Sequence, residues 1–216
     1  MRAIRPVRGS YSRVVGTEQV RQAYASVADL YIELFGTRAK VDADDLALIA
    51  RHLGGRPGPV LDLGCGPGHL TDYLRSLGVD ATGIDVVPEF IAHARATHPG
   101  GSYRLGSLDD LDVADHSVAG ILAWYSLIHL PPQRLDGVLT AFRRALASSG
   151  RLVLGLFAGD EVDAFDHKVT TAYRWPVDEI SERLTRAGFT EVERLERPDG
   201  GVHRPHYAIA AVATEG

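Results

Sequence analysis

The 216-residue sequence predicts an α/β fold: a doubly wound, mostly parallel sheet of seven strands with an antiparallel last strand. Three observations predict it. Short apolar runs of strand length stand at Val60–Leu63, Ala81–Ile84, Tyr103–Leu105, Val118–Ala123 and Leu152–Phe157. Segments with apolar residues three and four apart separate them, the alternation that builds right-handed crossovers and a parallel sheet. Two later runs, Thr190–Leu195 and His206–Val212, are joined by only about ten residues, including Pro198, Asp199, Gly200 and Gly201. That is too short for a helical crossover, so these two pair antiparallel.

The helices follow in order. Gly16 and Thr17 introduce a helical stretch carrying Val20, Tyr24, Val27, Ala28 and Tyr31 at spacings of three and four. Asp42 is placed to cap a second helix with Asp45 in its first turn, a stripe of Leu46, Ile49, Ala50 and Leu53, and Gly54-Gly55 at its end. Between the strands, Leu70, Leu74 and Leu77 share a helical face, as do Phe90, Ile91 and Ala94, and then Leu135, Leu139, Phe142 and Leu146. Pro176 opens a last helix with Ile180 and Leu184 on its face, and Gly188 closes it.

Composition narrows the class. Hydrophobic residues at 45% and charged residues at 24% are globular values, which excludes a disordered, collagenous or disulfide-held chain. Lys plus Arg number 23 against 28 Asp plus Glu, a net charge of -5, so a nucleic-acid partner gripped through its phosphates is not expected. Cys65 is the single cysteine, which fits a reducing compartment. Arg2, Arg5, Arg8 and Arg13 look like the basic part of a targeting signal, but no apolar stretch follows them. The most apolar window, Val118–Leu130, is interrupted by Trp124, Tyr125, Ser126 and His129 and is too short to span a membrane. A cytoplasmic protein without a membrane partner is expected; nothing fixes its oligomeric state.

The chemistry-bearing segment is Val60-Leu61-Asp62-Leu63-Gly64-Cys65-Gly66-Pro67-Gly68, an apolar strand running into glycines at alternate positions. A dinucleotide fingerprint needs G-x-G-x-x-G, and His69 stands where its third glycine belongs. A Walker loop is excluded because no Gly-Lys-Ser/Thr follows. Together with Thr82-Gly83-Ile84-Asp85, the segment resembles the class I S-adenosylmethionine-dependent methyltransferases, strongly over residues 56–157 and more loosely over most of the chain. The group of that family acting on small molecules suits the order of elements.

The resemblance implies a Rossmann-like fold in one domain over 1–216. Residues 1–55 form a helical cap, 56–157 the cofactor-binding core, 158–175 a substrate lid, and 176–216 a C-terminal helix with antiparallel strands. It implies S-adenosylmethionine as cofactor and S-adenosylhomocysteine as product. The cofactor residues it implies are Asp62, Gly64, Cys65, Gly66, Gly68, Asp85, Val86, Ser107, Leu108 and Trp124. Chemically, Asp62 answers the ammonium group, the amides of the Gly64–Gly68 turn the carboxylate, and Asp85, 21 positions after Gly64, the ribose diol. The family commonly has Asp at the position of Ser107, so the adenine is left to Ser107, Asp109 or the Leu108 backbone. Cys65 is read as a small packing residue, since no His or cation is indicated beside it.

The acceptor belongs outside the carboxyl end of the fourth strand. The Asn/Asp-Pro-Pro-Tyr/Phe motif of nucleobase and glutamine methyltransferases is absent from Ala123-Trp124-Tyr125-Ser126, which again lowers nucleic acid. Transfer to a hydroxyl needs a base, and His129 is the catalytic candidate, with packing beside Pro131 and Pro132 as the alternative. Tyr24, Tyr31, Tyr125, His167, Tyr173 and Trp175 are the substrate candidates. Between Ala158 and Trp175, Asp160, Glu161, Asp163 and Asp166 interleave with aromatics, a pattern suiting either a cationic acceptor or a solvated loop. His129, His167, His203 and His206 have no metal-site spacing, so no metal is expected. The function expected is methyl transfer to a small metabolite or natural product. Protein methylation, cyclisation of S-adenosylmethionine, or binding without catalysis are the alternatives.

Overall fold

The computed structural model describes residues 16–197 and 204–214. The N-terminal arginines, Pro198, Asp199, Gly200, Gly201 and His203 lie outside the described residues.

A central sheet carries the order β3-β2-β1-β4-β5, made by β1 (Pro59–Leu63), β2 (Asp80–Asp85), β3 (Ser102–Leu105), β4 (Val118–Trp124) and β5 (Leu146–Ala158). All of these pairings are parallel. On the far side of β5, β9 (His206–Ala213) pairs antiparallel, and β8 (Phe189–Arg197) pairs antiparallel with β9. These are the seven expected strands. Two short ones are added, β6 (Asp163–Phe165) and β7 (Ala172–Trp175), an antiparallel hairpin inside the segment read as an insertion. At three and four residues they are too brief for a period of two to show in the sequence. β7 pairs with β5 only at Phe157 and Ala158, beyond the last β4 pairing at Gly155, so the hairpin extends past the carboxyl end of β4.

Both faces of the sheet are apolar, and alternate residues divide between two helical layers. Leu61, Ile121 and Leu154 face α6 (Pro132–Ala145) and α7 (Val177–Arg186), where Phe142 and Leu184 are fully buried. Val60, Leu122 and Val153 face α3 (Ala43–Leu53) and α4 (His69–Ser76), meeting Leu48, Leu53 and Leu74. Asp62 shares this second parity. α5 (Pro88–Thr97) packs Ile91 and Ala94 on Tyr103 of β3. The N-cap of α3 is as expected, Asp42 accepting from the Asp44 amide at 2.9 Å. Its buried stripe is rotated from the expected one: Asp45 and Leu48 are buried with Ile49 and Leu53, while Leu46 and Ala50 are half-buried. The rotation brings Asp45 to Arg197 of β8.

The first helical stretch is two helices, α1 (Thr17–Ala25) and α2 (Ala28–Phe35), broken at Ser26-Val27. Likewise Leu146, expected on the α6 face, is already the first residue of β5. Among the described residues no helix is long and apolar enough to cross a membrane.

Candidate active site

β1 and β4 are neighbours in the sheet, yet β1 leads on to β2 while β4 leads on to β5 at its other side. The chain therefore leaves their carboxyl ends in opposite directions, and a crevice opens there. It holds a cavity that is partly open to solvent, with about 850 Å³ of empty space inside its lining when that open solvent is included.

The floor is the glycine turn after β1. Gly64, Gly66 and Gly68 have φ of 74°, 51° and 88°, values that side chains other than glycine rarely adopt. A Cβ on Gly64 would stand 2.3 Å from Ser126 Cβ, so the turn after β4 seats directly on this backbone. A Cβ on Gly66 would instead meet only Tyr31 Cε1, at 3.9 Å, and would project into the cavity. Gly68 faces away, against Ala94 and Tyr103. The expected donation of turn amides to a ligand carboxylate is not what the geometry provides. The Gly64 and Cys65 amides donate to the Ile84 carbonyl, the Gly66 amide to Asp85 Oδ2, and the Gly68 amide to the Cys65 carbonyl. All four N–H groups are thus already bonded within the chain.

Asp85 ends β2 at the cavity wall. Its Oδ2 accepts from the Gly66 amide at 2.8 Å and its Oδ1 from the Val87 amide at 2.9 Å. Burial raises its pKa to about 6, against the pull of those amides. Asp62 lies behind the turn and does not line the cavity. Its Oδ2 accepts from the Thr71 hydroxyl at 2.6 Å, tying β1 to α4, and burial raises its pKa to about 7. Asp62 is therefore placed to hold the turn, because its strand parity points it into the α3/α4 layer. Cys65 is buried in the packing under α5, with its thiol pKa pushed up by burial, as a packing residue should be.

At the other end of the cavity the turn after β3 contributes Gly106, Ser107, Leu108 and Asp109. Ser107 Oγ accepts the Asp109 amide at 3.2 Å. Asp109 Oδ2 accepts from Thr17 Oγ1 at 2.7 Å and pairs with Arg134 at 3.0 Å, while its buried Oδ1 has no partner among the described residues. Thr17 and Arg134 escaped the sequence reading, since contacts 92 and 25 positions away leave no local pattern. Phe90 and the buried Ser126 Oγ, unpartnered among the described residues, also belong to the lining and were not assigned from the sequence.

The roof and walls are aromatic. Tyr24 and Tyr31 both line the cavity, though on different helices, with their rings edge to face at 5.4 Å. Trp124 and Tyr125 form the wall after β4, and Tyr125 has φ of 52°, a conformation that costs a non-glycine residue on the order of 1–3 kcal/mol. Val86 and His129 complete the expected residues found in the lining. His129 Nδ1 lies 2.7 Å from the Thr171 carbonyl and Nε2 lies 2.9 Å from Tyr24 Oη.

The remaining candidates are elsewhere. Trp175 is in the core with Arg183 stacked on its ring, and Tyr173 is buried in the same core, its amide donating to the Ile128 carbonyl. Both are on the short strand β7, which packs inward. His167 sits behind His129, ring centroids 5.3 Å apart, outside the cavity wall. Asp160, Glu161, Asp163 and Asp166 are exposed, and Phe165 between them is buried with Arg174 and Arg204 over its ring. The acids of this segment thus face solvent and contribute nothing to the cavity wall.

Residues 60–150 match the family described as a methyltransferase domain. The matched segment is a methyltransferase domain. A curated relative, the malonyl-acyl-carrier-protein O-methyltransferase of Erwinia billingiae, is 26% identical over 166 residues, which are 77% of this chain and 62% of that protein. The chain therefore spans less than two thirds of that relative's length. The fold matches 1,6-didemethyltoxoflavin-N1-methyltransferase of Burkholderia thailandensis, solved with 1,6-didemethyltoxoflavin and S-adenosylhomocysteine, at a TM-score of 0.77 and 23% identity over 97% of this chain and 94% of that one. Magnesium protoporphyrin IX methyltransferase of Synechocystis matches at a TM-score of 0.72 and 18% identity over 92% and 100% of the chains.

S-adenosylmethionine is the cofactor this methyltransferase domain implies, and the residues present fit it. The Gly66 position is a cradle that a Cβ would fill. The cavity also presents two buried oxygens, Ser126 Oγ and Asp109 Oδ1, that have no partner among the described residues, and a carboxylate at Asp85 with acceptor capacity left after its two amides.

Proposed function

We propose that the protein transfers the methyl group of S-adenosylmethionine to a small-molecule acceptor, a metabolite or natural product, in the cytoplasm. The observation that carries this reading is the pairing of Asp85 with the Gly66 amide at the mouth of β1 and β2. It sets a carboxylate for a ribose diol beside a backbone open to close approach. In this assignment Asp85 holds the ribose, with Val86 beside it. Asp109 Oδ1 and the Leu108 backbone face the adenine, while Ser107 supports that turn through the Asp109 amide. Gly64, Gly66 and Ser126 Oγ lie along the amino-acid end.

When bound, the sulfonium supplies an electrophilic methyl group that needs no acid to leave. The chain's own contribution is position and exclusion of water. Trp124, Tyr125, Tyr24 and Tyr31 wall the space where the methyl would emerge, and their π faces favour a cation without neutralising it. The same walls, with the acids of the 158–175 segment turned outward, suit an uncharged, flat acceptor over an amine, a protein side chain or a nucleic acid. The test is product formation. With methyl-labelled S-adenosylmethionine and a small-molecule extract, label should pass to a compound of low mass with S-adenosylhomocysteine formed in equal amount. Label recovered only in protein or RNA overturns the small-molecule reading.

A further inference from the structure

We propose that Tyr24 receives the proton of a hydroxyl acceptor and passes its own to His129 Nε2, making the pair the proton-accepting device of the site. This rests on the methyltransferase reading above and names its acceptor class, a neutral hydroxyl such as a phenol or enol.

The geometry assigns the hydrogens. The Thr171 carbonyl can only accept, so His129 Nδ1, 2.7 Å from it, carries the N–H. A neutral imidazole has one N–H, so Nε2 is bare and takes the hydrogen of Tyr24 Oη, 2.9 Å away. Burial keeps the ring neutral, lowering its pKa to about 4, with the His167 ring on its far side acting in the same direction. His129 therefore meets the cavity as an occupied acceptor, and an incoming hydroxyl finds the lone pairs of Tyr24 Oη first. Among the described residues His129 is the only hydrogen-bond partner of that oxygen; Tyr31 and Phe90 supply ring contacts around it. Tyr24 does not ionise by itself. Burial, with the charge of Asp85 and the neighbouring Tyr31, raises its pKa well above the usual value. A proton can leave Tyr24 only as another arrives.

The step balances. The acceptor oxygen forms the new C–O bond as the C–S bond breaks with its electron pair on sulfur. The hydroxyl proton goes to Tyr24 Oη, and the Tyr24 proton goes to Nε2, leaving an imidazolium bonded to the Thr171 carbonyl. One positive charge disappears at sulfur as one appears at His129, so the buried ring is charged only when the competing cation is discharged. A carboxylate or thiolate acceptor brings no proton and has no use for the pair.

The test uses the full chain, with Tyr24→Phe and His129→Gln as variants. Nitrogen-15 NMR of the wild type should show His129 with hydrogen on Nδ1. In Tyr24→Phe the Nε2 resonance should move toward that of an unbonded nitrogen while S-adenosylhomocysteine still binds within about threefold in calorimetry. With 2-naphthol and 2-naphthoate as paired probes, both variants should lower the rate on the naphthol relative to the rate on the naphthoate by about 100-fold. An Nε2–H tautomer in the wild type, an equal fall on both probes, or a wild type that methylates the naphthoate and not the naphthol overturns the relay. Failure of the wild type to bind S-adenosylhomocysteine is a separate readout and overturns the methyltransferase reading beneath it.

Discussion

Replacing Asp85 by alanine separates the binding role of this carboxylate from its structural one. Each carboxylate oxygen offers two acceptor places. The Gly66 and Val87 amides, at 2.8 and 2.9 Å, use one apiece, which leaves one on each oxygen for a ribose hydroxyl. Losing a charged acceptor costs about 1.5–3 kcal/mol, so S-adenosylhomocysteine should bind about 10- to 150-fold more weakly. Folding should suffer less. The two stranded amides cost about 1–3 kcal/mol each. Against that, a pKa raised to about 6 means that holding the buried group ionised at neutral pH already costs about 3 kcal/mol, which alanine removes. Because the free carboxyl titrates near 6 and the ribose hydroxyls favour its ionised form, wild-type affinity should tighten as pH rises from 5 to 7 and level off above. The variant should lose that rise. Calorimetry at several pH values, beside thermal melts, measures all three quantities. A folded Asp85→Ala protein with wild-type affinity and an unchanged pH profile would refute the assignment.

Two glycine variants should fail in opposite ways. Gly66→Ala places its methyl in open cavity space at φ 51°, so it should lose only about 1–2 kcal/mol of stability while binding S-adenosylhomocysteine at least about tenfold more weakly by calorimetry. Gly64→Ala drives its methyl to 2.3 Å from Ser126 Cβ at φ 74°, so its loss should appear first as a lowered melting temperature, by about 2–5 kcal/mol of combined strain and overpacking. Equal effects of the two on melting would contradict the placement of the turn.

The parts legible in the sequence are those where one local pattern has one physical cause. Alternating glycines after a strand mark backbone at positive φ, and Gly64, Gly66 and Gly68 all have it. Asp85 at the end of β2 follows from the length of a βαβ unit, and the small number of residues between β8 and β9 dictated their antiparallel pairing. What stayed hidden depends on partners far along the chain or on the backbone. Tyr24 and Tyr31 have the spacing of one helix face, yet a turn at Ser26-Val27 separates them and their rings meet across two helices. Asp62 has the composition of a ligand contact, but which face of β1 it takes is set by register with α4, and it binds Thr71. The Thr17–Asp109–Arg134 contacts join three elements with no shared pattern. His129 was visible as a candidate; that its Nδ1 is bound by the Thr171 carbonyl depends on where the segment before β7 runs.

The central claim is that the cavity between the carboxyl ends of β1 and β4 is an S-adenosylmethionine site built on the Gly64–Gly68 turn and Asp85. Calorimetric titration of the wild-type protein with S-adenosylhomocysteine and, separately, with NAD tests it most directly. The account predicts one molecule of S-adenosylhomocysteine bound per chain and little or no heat with NAD. Tighter binding of NAD than of S-adenosylhomocysteine would contradict it.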